Sequence, residues 1–197
     1  RIVGGGIAGL SLGVALRLRG IETQLYEATR YPRHRVCGEF ISGLEEKTIN
    51  TLGIENALRD CHQHRTTAWF LGDRQVLDDS LPEPALTISR HTLDVRLVEI
   101  FIELGGVINQ RSRVRDVYQE GIVWAAGRQR EKDSRWVGLK AHFHHMPLAH
   151  GLEMHLGDGS YVGVTPIENG RVNVCGLFRD LPGLKVSGAQ RLIETAR

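Results

Sequence analysis

The sequence is poor in cysteine and aromatic residues and has no long apolar run. Its three cysteines, Cys37, Cys61 and Cys175, lie far apart and form no CxxC pair. An odd number of scattered thiols argues for reduced cysteines in a cytoplasmic protein, against a disulfide framework, and against a metal site of the zinc type. Every apolar stretch is broken by Arg, Glu or Gly before the ~20 residues needed to span a bilayer. No charged segment followed by an apolar one marks a secretory leader. The net charge of +2 over 197 residues gives no electrostatic footprint for nucleic acid or an anionic membrane surface. What remains is an ordinary globular balance, 41% hydrophobic and 24% charged, in a chain long enough for one good-sized domain or two small ones.

Glycine is not scarce, and it is concentrated at the start: RIVGGGIAGLSLGVALRLRGIETQLYEA. Gly4, Gly6 and Gly9 have GxGxxG spacing. Ile2 and Val3 read as the end of a short buried strand. From Ile7 the apolar positions Leu10, Leu12, Val14, Ala15 and Leu16 fit a largely buried helix that ends near Gly20. Ile21, Thr23, Leu25 and Tyr26 then read as a second strand that ends at Glu27. A strand, a glycine turn, a helix, a strand and an acid are the parts of a dinucleotide-binding unit. Gly4 permits the tight turn, Gly6 lets backbone approach a pyrophosphate, and Gly9 lets the helix pack on the strand. The helix N-terminus, at Ile7 and Ala8, offers N–H groups and partial positive charge. Glu27 lies 23 positions after Gly4, close to the ~20 expected of a carboxylate that binds a ribose diol. The bare motif could equally be a glycine-rich loop without a ligand. The flanking strand, helix and acid favour the dinucleotide, without saying which one.

GGGIAGLSLGVALRLRGIETQLYEA resembles the N-terminal segment of the FAD-dependent oxidoreductases, a family that includes aromatic-ring hydroxylases, flavin halogenases and geranylgeranyl reductases. RYPRHRVCGEFIS, residues 30–42, is similar to the loop that in this family runs along the FAD. By that resemblance Glu27 and Ala28 meet the nucleotide. Arg35 is the cation near it, and Cys37, Gly38 and Glu39 lie on the loop approaching the flavin ring. Arg90, in ISRHTLDVRLVEIFIELGG, matches a family Arg that reaches the phosphates or ribitol at the start of a long helix. Gly127 and Arg128 match a family Ala-Asp-Gly-Arg turn in which Ala126 replaces the Asp. Read from the residues alone, Arg30, Arg33 and Arg35 also fit a solvated basic loop, Cys37 a small buried thiol, and Arg90 a surface salt bridge, with Asp94 as a local partner.

Ser42 and Glu45 suggest a capping box for a helix over SGLEEKTINTLGIENAL. TTAWFLG and RQVLDD suggest a hairpin, followed by a loop at Pro82–Pro84. Leu93, Leu97, Ile100, Phe101 and Leu104 predict a helix from about Ser89 to Gly105-Gly106. WVGLKAHF, LEMHL, SYVGVTPI and RVNVCGLF, with Asp158-Gly159 and Asn169-Gly170 between the later runs, predict a four-stranded antiparallel sheet. His142 and His144 share a strand face, with His145, His150 and His155 nearby. The absence of close Cys or carboxylate partners favours exposed or cavity-lining histidines over a metal site.

The predicted fold class is α/β: a Rossmann-like FAD-binding domain (1–60 and 85–130) with an appended antiparallel-sheet substrate domain (61–84 and 135–180). Residues 181–197 read as the start of a returning helix. The family continues with a Gly-Asp segment that this chain does not match, so the resemblance implies an enzyme incomplete at its C-terminus. It further implies FAD as cofactor, NAD(P)H as transient reductant, and a hydrophobic or aromatic small molecule as substrate, in a monooxygenase-like or reductase-like reaction. No acid–base pair or nucleophile stands out, and Cys37 is the one catalytic candidate. The competing readings are a degenerate dinucleotide-binding module without turnover and a plain NAD-dependent dehydrogenase.

Overall fold

The computed structural model describes residues 1–115, 119–128 and 135–179. In chain order these form β1 (Ile2–Val3), α1 (Ile7–Leu18), β2 (Gln24–Tyr26), β3 (Phe40–Ile41), α2 (Glu46–Leu52) and a 3-10 turn at Glu55–Leu58. Then follow β4 (His62–Leu71), β5 (Arg74–Thr87), α3 (Arg90–Glu103), β6 (Val107–Asn109) and β7 (Val123–Trp124). The last four are β8 (Trp136–His144), β9 (Leu152–Gly157), β10 (Ser160–Ile167) and β11 (Arg171–Arg179). The chain divides into two compact units. The first holds Arg1–His34, Leu44–Arg59 and the described residues from Arg90 to 128; the second holds Arg35–Gly43, Asp60–Ser89 and the described residues from 135 onward.

The first unit is the Rossmann-like part. Its sheet is parallel in the order β6-β2-β1-β7. The strands are short, and burial centres on the inner pair β1 and β2, where Ile2, Val3 and Leu25 are each at most 5% exposed. The predicted helix from Ile7 is α1, and its buried face carries Gly9, Leu10, Ser11, Gly13, Val14 and Ala15. The predicted third helix is α3, which buries Leu93, Leu97 and Phe101 at four-residue spacing. Gly13 is what lets the two helices meet closely, since a Cβ there would lie 2.9 Å from the Phe101 ring. The expected single helix over residues 42–58 is instead two pieces. Gly53 adopts a left-handed conformation at the end of α2, and the chain restarts as the 3-10 turn. Glu45 rather than Ser42 is the N-cap of α2, and no side chain caps it, so the capping box does not form.

The second unit is a mixed seven-stranded sheet in the order β3-β5-β4-β9-β10-β11-β8. The predicted strands β8 to β11 pair antiparallel within it. Asp158-Gly159 forms the first of their turns; Asn169 and Gly170, both at positive φ, form the second. The sheet is larger than the sequence suggests because β9 also pairs in parallel with β4. Local turn signals cannot reveal a parallel neighbour so distant in sequence. Nor do Pro82 and Pro84 end a strand: both lie within β5. The β4–β5 ladder passes from Thr66↔Ser80 to His64↔Ala85 across a register shift, so the prolines fall where no ladder N–H is required. One face of β8, β10 and β11 is apolar, with Val162, Val164, Val172, Val174 and Phe178 packed with Leu139, Ala141 and Phe143.

The helix predicted over VSGAQRLIETAR lies outside the described residues. No helix among the described residues is long and apolar enough to cross a membrane.

The junction of β1 and α1 is sterically exacting. A Cβ on Gly9 would stand 2.0 Å from the Gly4 carbonyl oxygen, whereas a Cβ on Gly6 meets nothing nearer than 3.9 Å. Gly9→Ala therefore lowers unfolding free energy by about 1–3 kcal/mol, the usual cost of overpacking, and Gly6→Ala leaves it close to wild type. Urea unfolding of the two variants checks both expectations.

Candidate functional site

The glycine turn is built by backbone contacts on every side. The Gly4 N–H donates to the Tyr26 carbonyl at 2.8 Å, joining the turn to β2. Gly4 has φ +107, and a Cβ on it would lie 2.3 Å from the Ala125 carbonyl oxygen just beyond β7. A side chain is thus excluded both by conformation and by space. Ala126 and Gly127 follow in that same segment, both exposed, Gly127 at φ +81. Gly6 is the N-cap of α1. It caps without a side chain, and no acidic residue occupies the first turn, so nothing there neutralises the helix's positive end. Ile7 is half-buried, Ala8 exposed and Gly9 buried at that end. The open space at Gly6 is bordered by the Arg90 guanidinium, 3.9 Å from where a Cβ would stand. Arg90 also holds Asp94 through two hydrogen bonds of 2.8 and 3.0 Å. Asp94 is fully buried.

Glu27 closes the other side of the turn. It is 4% exposed. Its Oε2 accepts the Gly5 N–H at 2.8 Å, and its Oε1 accepts the Thr29 N–H and hydroxyl at 2.8 and 2.9 Å. The Arg33 guanidinium pairs with Oε1 at 2.5 Å. Burial alone pushes this carboxyl up. Arg33, the two N–H donors and the Thr29 hydroxyl outweigh burial and hold it at about 2, well below its ordinary 4.5. Arg33 is the residue that sequence reasoning undervalued. It also donates to the Gly5 carbonyl at 2.6 Å and stacks on Tyr31, whose hydroxyl donates to the same carbonyl at 2.5 Å. Three arginines in one polar loop look alike in sequence, and only the fold distinguishes the buried one. Ala28 is half-buried beside Glu27.

Gly4, Gly6, Ile7, Ala8, Gly9, Glu27, Ala28, Arg90, Ala126 and Gly127 all belong to the first unit, whereas Arg35, Cys37 and Gly38 belong to the second. Arg35 and Gly38 are exposed, and Cys37 is half-buried.

In the second unit, residues 36–39 lie along the polar face of β8 and β11, opposite the apolar face. Val36 lies 2.9 Å from the position of a Cβ on Gly138. The Asn173 amide donates to the carbonyls of Cys37 and Gly38 at 3.1 and 2.8 Å. The Glu39 carboxylate, fully buried, pairs with Lys140 and accepts from His142 Nε2 at 2.7 Å. Burial pushes His142 below its ordinary 6.5 against the pull of Glu39, which favours a neutral ring as donor. His142 is thus committed to a carboxylate and not exposed. Among the described residues no group of three His, Cys, Asp or Glu could hold a metal ion. Lys140 and His142 are two apart and so legibly share a face, but Glu39 lies a hundred positions away and no local pattern announces it.

Residues 2–38 match the family described as NAD(P)-binding Rossmann-like domain. No curated protein matches the sequence. Among solved structures, a variant of the flavin-dependent brominase Bmp2 superposes with TM-score 0.74 at 17% identity, over 98% of this chain and 60% of that one. The 2-methyl-3-hydroxypyridine-5-carboxylic acid oxygenase gives 0.72 at 17% identity, over 92% and 59%. PqsL, a probable FAD-dependent monooxygenase from Pseudomonas aeruginosa, gives 0.69 at 11% identity, over 90% and 59%. The chain thus spans about three-fifths of the length of these structures.

Glu27 generates a test of the site's electrostatics. A carboxyl held at about 2 stabilises the fold above its unfolded value of 4.5, and that stabilisation is lost as pH falls toward 2. The stability gap between wild type and Glu27→Gln is therefore wider at pH 7 than at pH 2, by about 3 kcal/mol; denaturant unfolding at the two pH values measures it.

The chain is thus an α/β protein whose N-terminal segment is similar to an NAD(P)-binding Rossmann-like domain, and it shares the fold of a flavin-dependent brominase and a probable FAD-dependent monooxygenase.

Proposed function

We propose that the first unit binds the ADP half of FAD and that the chain is the flavin-holding part of an oxidoreductase of the monooxygenase or double-bond reductase type. The observation that carries this reading is the cradle at Gly6. It is open where a Cβ would intrude, lies at the N-terminal end of α1, whose first turn holds no acidic residue, and is flanked by an arginine. Such a cradle suits a pyrophosphate, which needs close backbone approach and N–H donors. The residues present therefore fit the cofactor. Gly6, Ile7, Ala8 and Gly9 would hold the phosphates, with Arg90 as the nearby cation. Glu27, ionised down to about pH 2, would accept from the ribose hydroxyls. Its bonds to Gly5, Thr29 and Arg33 fix the carboxylate's orientation before any ligand arrives. Ala28 borders that nucleotide end. Arg35, Cys37 and Gly38 are the proposed contacts of the flavin end, on the resemblance of residues 30–42 to the family's FAD loop. Ala126 and Gly127 border the glycine turn without a carboxylate, so that segment would approach the ligand through backbone.

When bound, the flavin supplies the hydride and oxygen chemistry; the protein supplies grip and field. The similarity to flavin-dependent brominases and monooxygenases supports the redox class. NAD(P)H as the reductant and a hydrophobic or aromatic small molecule as the substrate complete the proposal. A second glycine fingerprint is not legible in the sequence, so the nicotinamide would bind transiently.

The purified full chain, mixed with FAD and desalted, is expected to keep a flavin absorption band that bleaches on anaerobic addition of NADPH. Gly6→Val, whose Cβ has room in the folded chain, is expected to retain under a tenth of the wild-type flavin with an unchanged circular dichroism spectrum. Wild-type flavin content in Gly6→Val overturns the phosphate-cradle assignment. A band that does not bleach with either NADPH or NADH overturns the reductant.

A further inference from the structure

The polar face of β8 and β11 carries three successive antiparallel rungs: Gly138↔Leu177, Lys140↔Cys175 and His142↔Asn173. Residues 36–39 lie across these rungs. Val36 lies on Gly138, with the Leu177 side chain also at that position. Asn173 takes the carbonyls of Cys37 and Gly38. Glu39 joins both the middle and the last rung, through Lys140 and His142. Cys37 follows the Val36 anchor, and the middle rung, which Glu39 joins through Lys140, contains Cys175. An apolar contact at Val36 on one side, and the bonds from Asn173, Lys140 and His142 on the other, thus hold Cys37 against the strand that carries Cys175. The Cys37 sulfur accepts the Glu39 N–H at 3.4 Å, and Cys37 is near enough to Cys175 to act on its thiol, its charge pushing that thiol up and its backbone N–H opposing. Both cysteines are partly accessible and neither is in a disulfide. Anchors of this kind keep the two cysteines on facing segments, which lowers the ordering cost of bringing their sulfurs together.

We propose that Cys37 and Cys175 are a redox-active dithiol that closes to a disulfide and so fastens the 35–43 segment covalently to β11. The inference lies wholly within the second unit and does not rest on the flavin reading. The oxidant class is a small-molecule disulfide such as glutathione disulfide. Cys37 attacks first, as thiolate: a mixed disulfide forms and one glutathione leaves as thiolate. Burial, reinforced by Cys37, pushes the Cys175 thiol up to about 11, so Cys175 enters the second step as a thiol. It gives up its proton and attacks the Cys37 sulfur; the second glutathione leaves. The two departing thiolates take up the two protons, the cysteine pair loses two electrons and the glutathione disulfide gains them. Cys61, immediately before β4, has no part in these rungs and serves as an internal reference.

The test is incubation of the full chain with glutathione disulfide, acid quenching, and non-reducing tryptic mass mapping. The expected product joins peptide 36–47 to peptide 172–179 and lowers the titratable thiols in denatured protein from three to one. Dithiothreitol restores all three. Cys61→Ser still forms the link, whereas Cys37→Ser and Cys175→Ser each abolish it. The wild-type map stands even if a variant folds poorly. The proposal is overturned if Cys37 accumulates as a glutathione adduct without linking to Cys175, or if Cys61 is the partner in the bond.

Discussion

The first unit depends on one close approach: the Gly4 carbonyl of the strand end lies where a Cβ on Gly9 of the helix would stand, 2.0 Å away. No side chain can occupy that gap, so glycine at position 9 is a steric requirement. The approach seats the first turn of α1 against the end of β1 and leaves its N-terminal N–H groups directed away from the sheet. Gly4 depends on the same constraint from the other side, where Ala125 leaves no room for a side chain and φ is +107. Ile2 and Val3 bury the strand beneath the turn, and Leu10 and Val14 bury the helix above it. The cradle at Gly6 is what remains open once these contacts are made.

Electrostatics then gives that geometry a direction. The positive helix end carries no acidic neutraliser in its first turn. Glu27 carries a negative charge, but it is satisfied by N–H groups and Arg33 and held close to Gly5. A polyanion with a hydroxylated sugar suits this pairing, with its phosphates at the helix and its sugar at the carboxylate. Asp94, fully buried, pairs with Arg90 and lies 3.7 Å from Arg33, so one acid steadies both arginines that border the turn. Removing a buried member of such a network leaves an uncompensated charge, which costs far more than an exposed pair returns.

Much of the first unit was legible because its determinants are local. The strand, turn, helix and acid all fall between Ile2 and Glu27, and each has its own pattern in the sequence. Arg33 was not separable from Arg30 and Arg35, since burial is conferred by Tyr31, Gly5 and Asp94, none of them identifiable from the loop itself. In the second unit, alternation and Asp-Gly or Asn-Gly turns revealed β8 to β11. The parallel pairing of β4 with β9 and the tolerance of two prolines inside β5 depend on partners and register shifts that no short window contains. Glu39 shows the same limit more sharply. Resemblance puts it on the flavin loop, but its partners Lys140 and His142 come from a strand a hundred residues later.

The central claim is that the first unit grips the ADP half of a dinucleotide through the Gly6 cradle and Glu27. Titration of the chain with FAD, followed by flavin fluorescence, tests it most directly when FMN is titrated in parallel and ADP is added as competitor. The account predicts saturable binding of FAD, at least tenfold weaker binding of FMN, which lacks the adenosine phosphate, and displacement of FAD by ADP. Equal binding of FMN and FAD, or FAD binding that ADP leaves untouched, would contradict it.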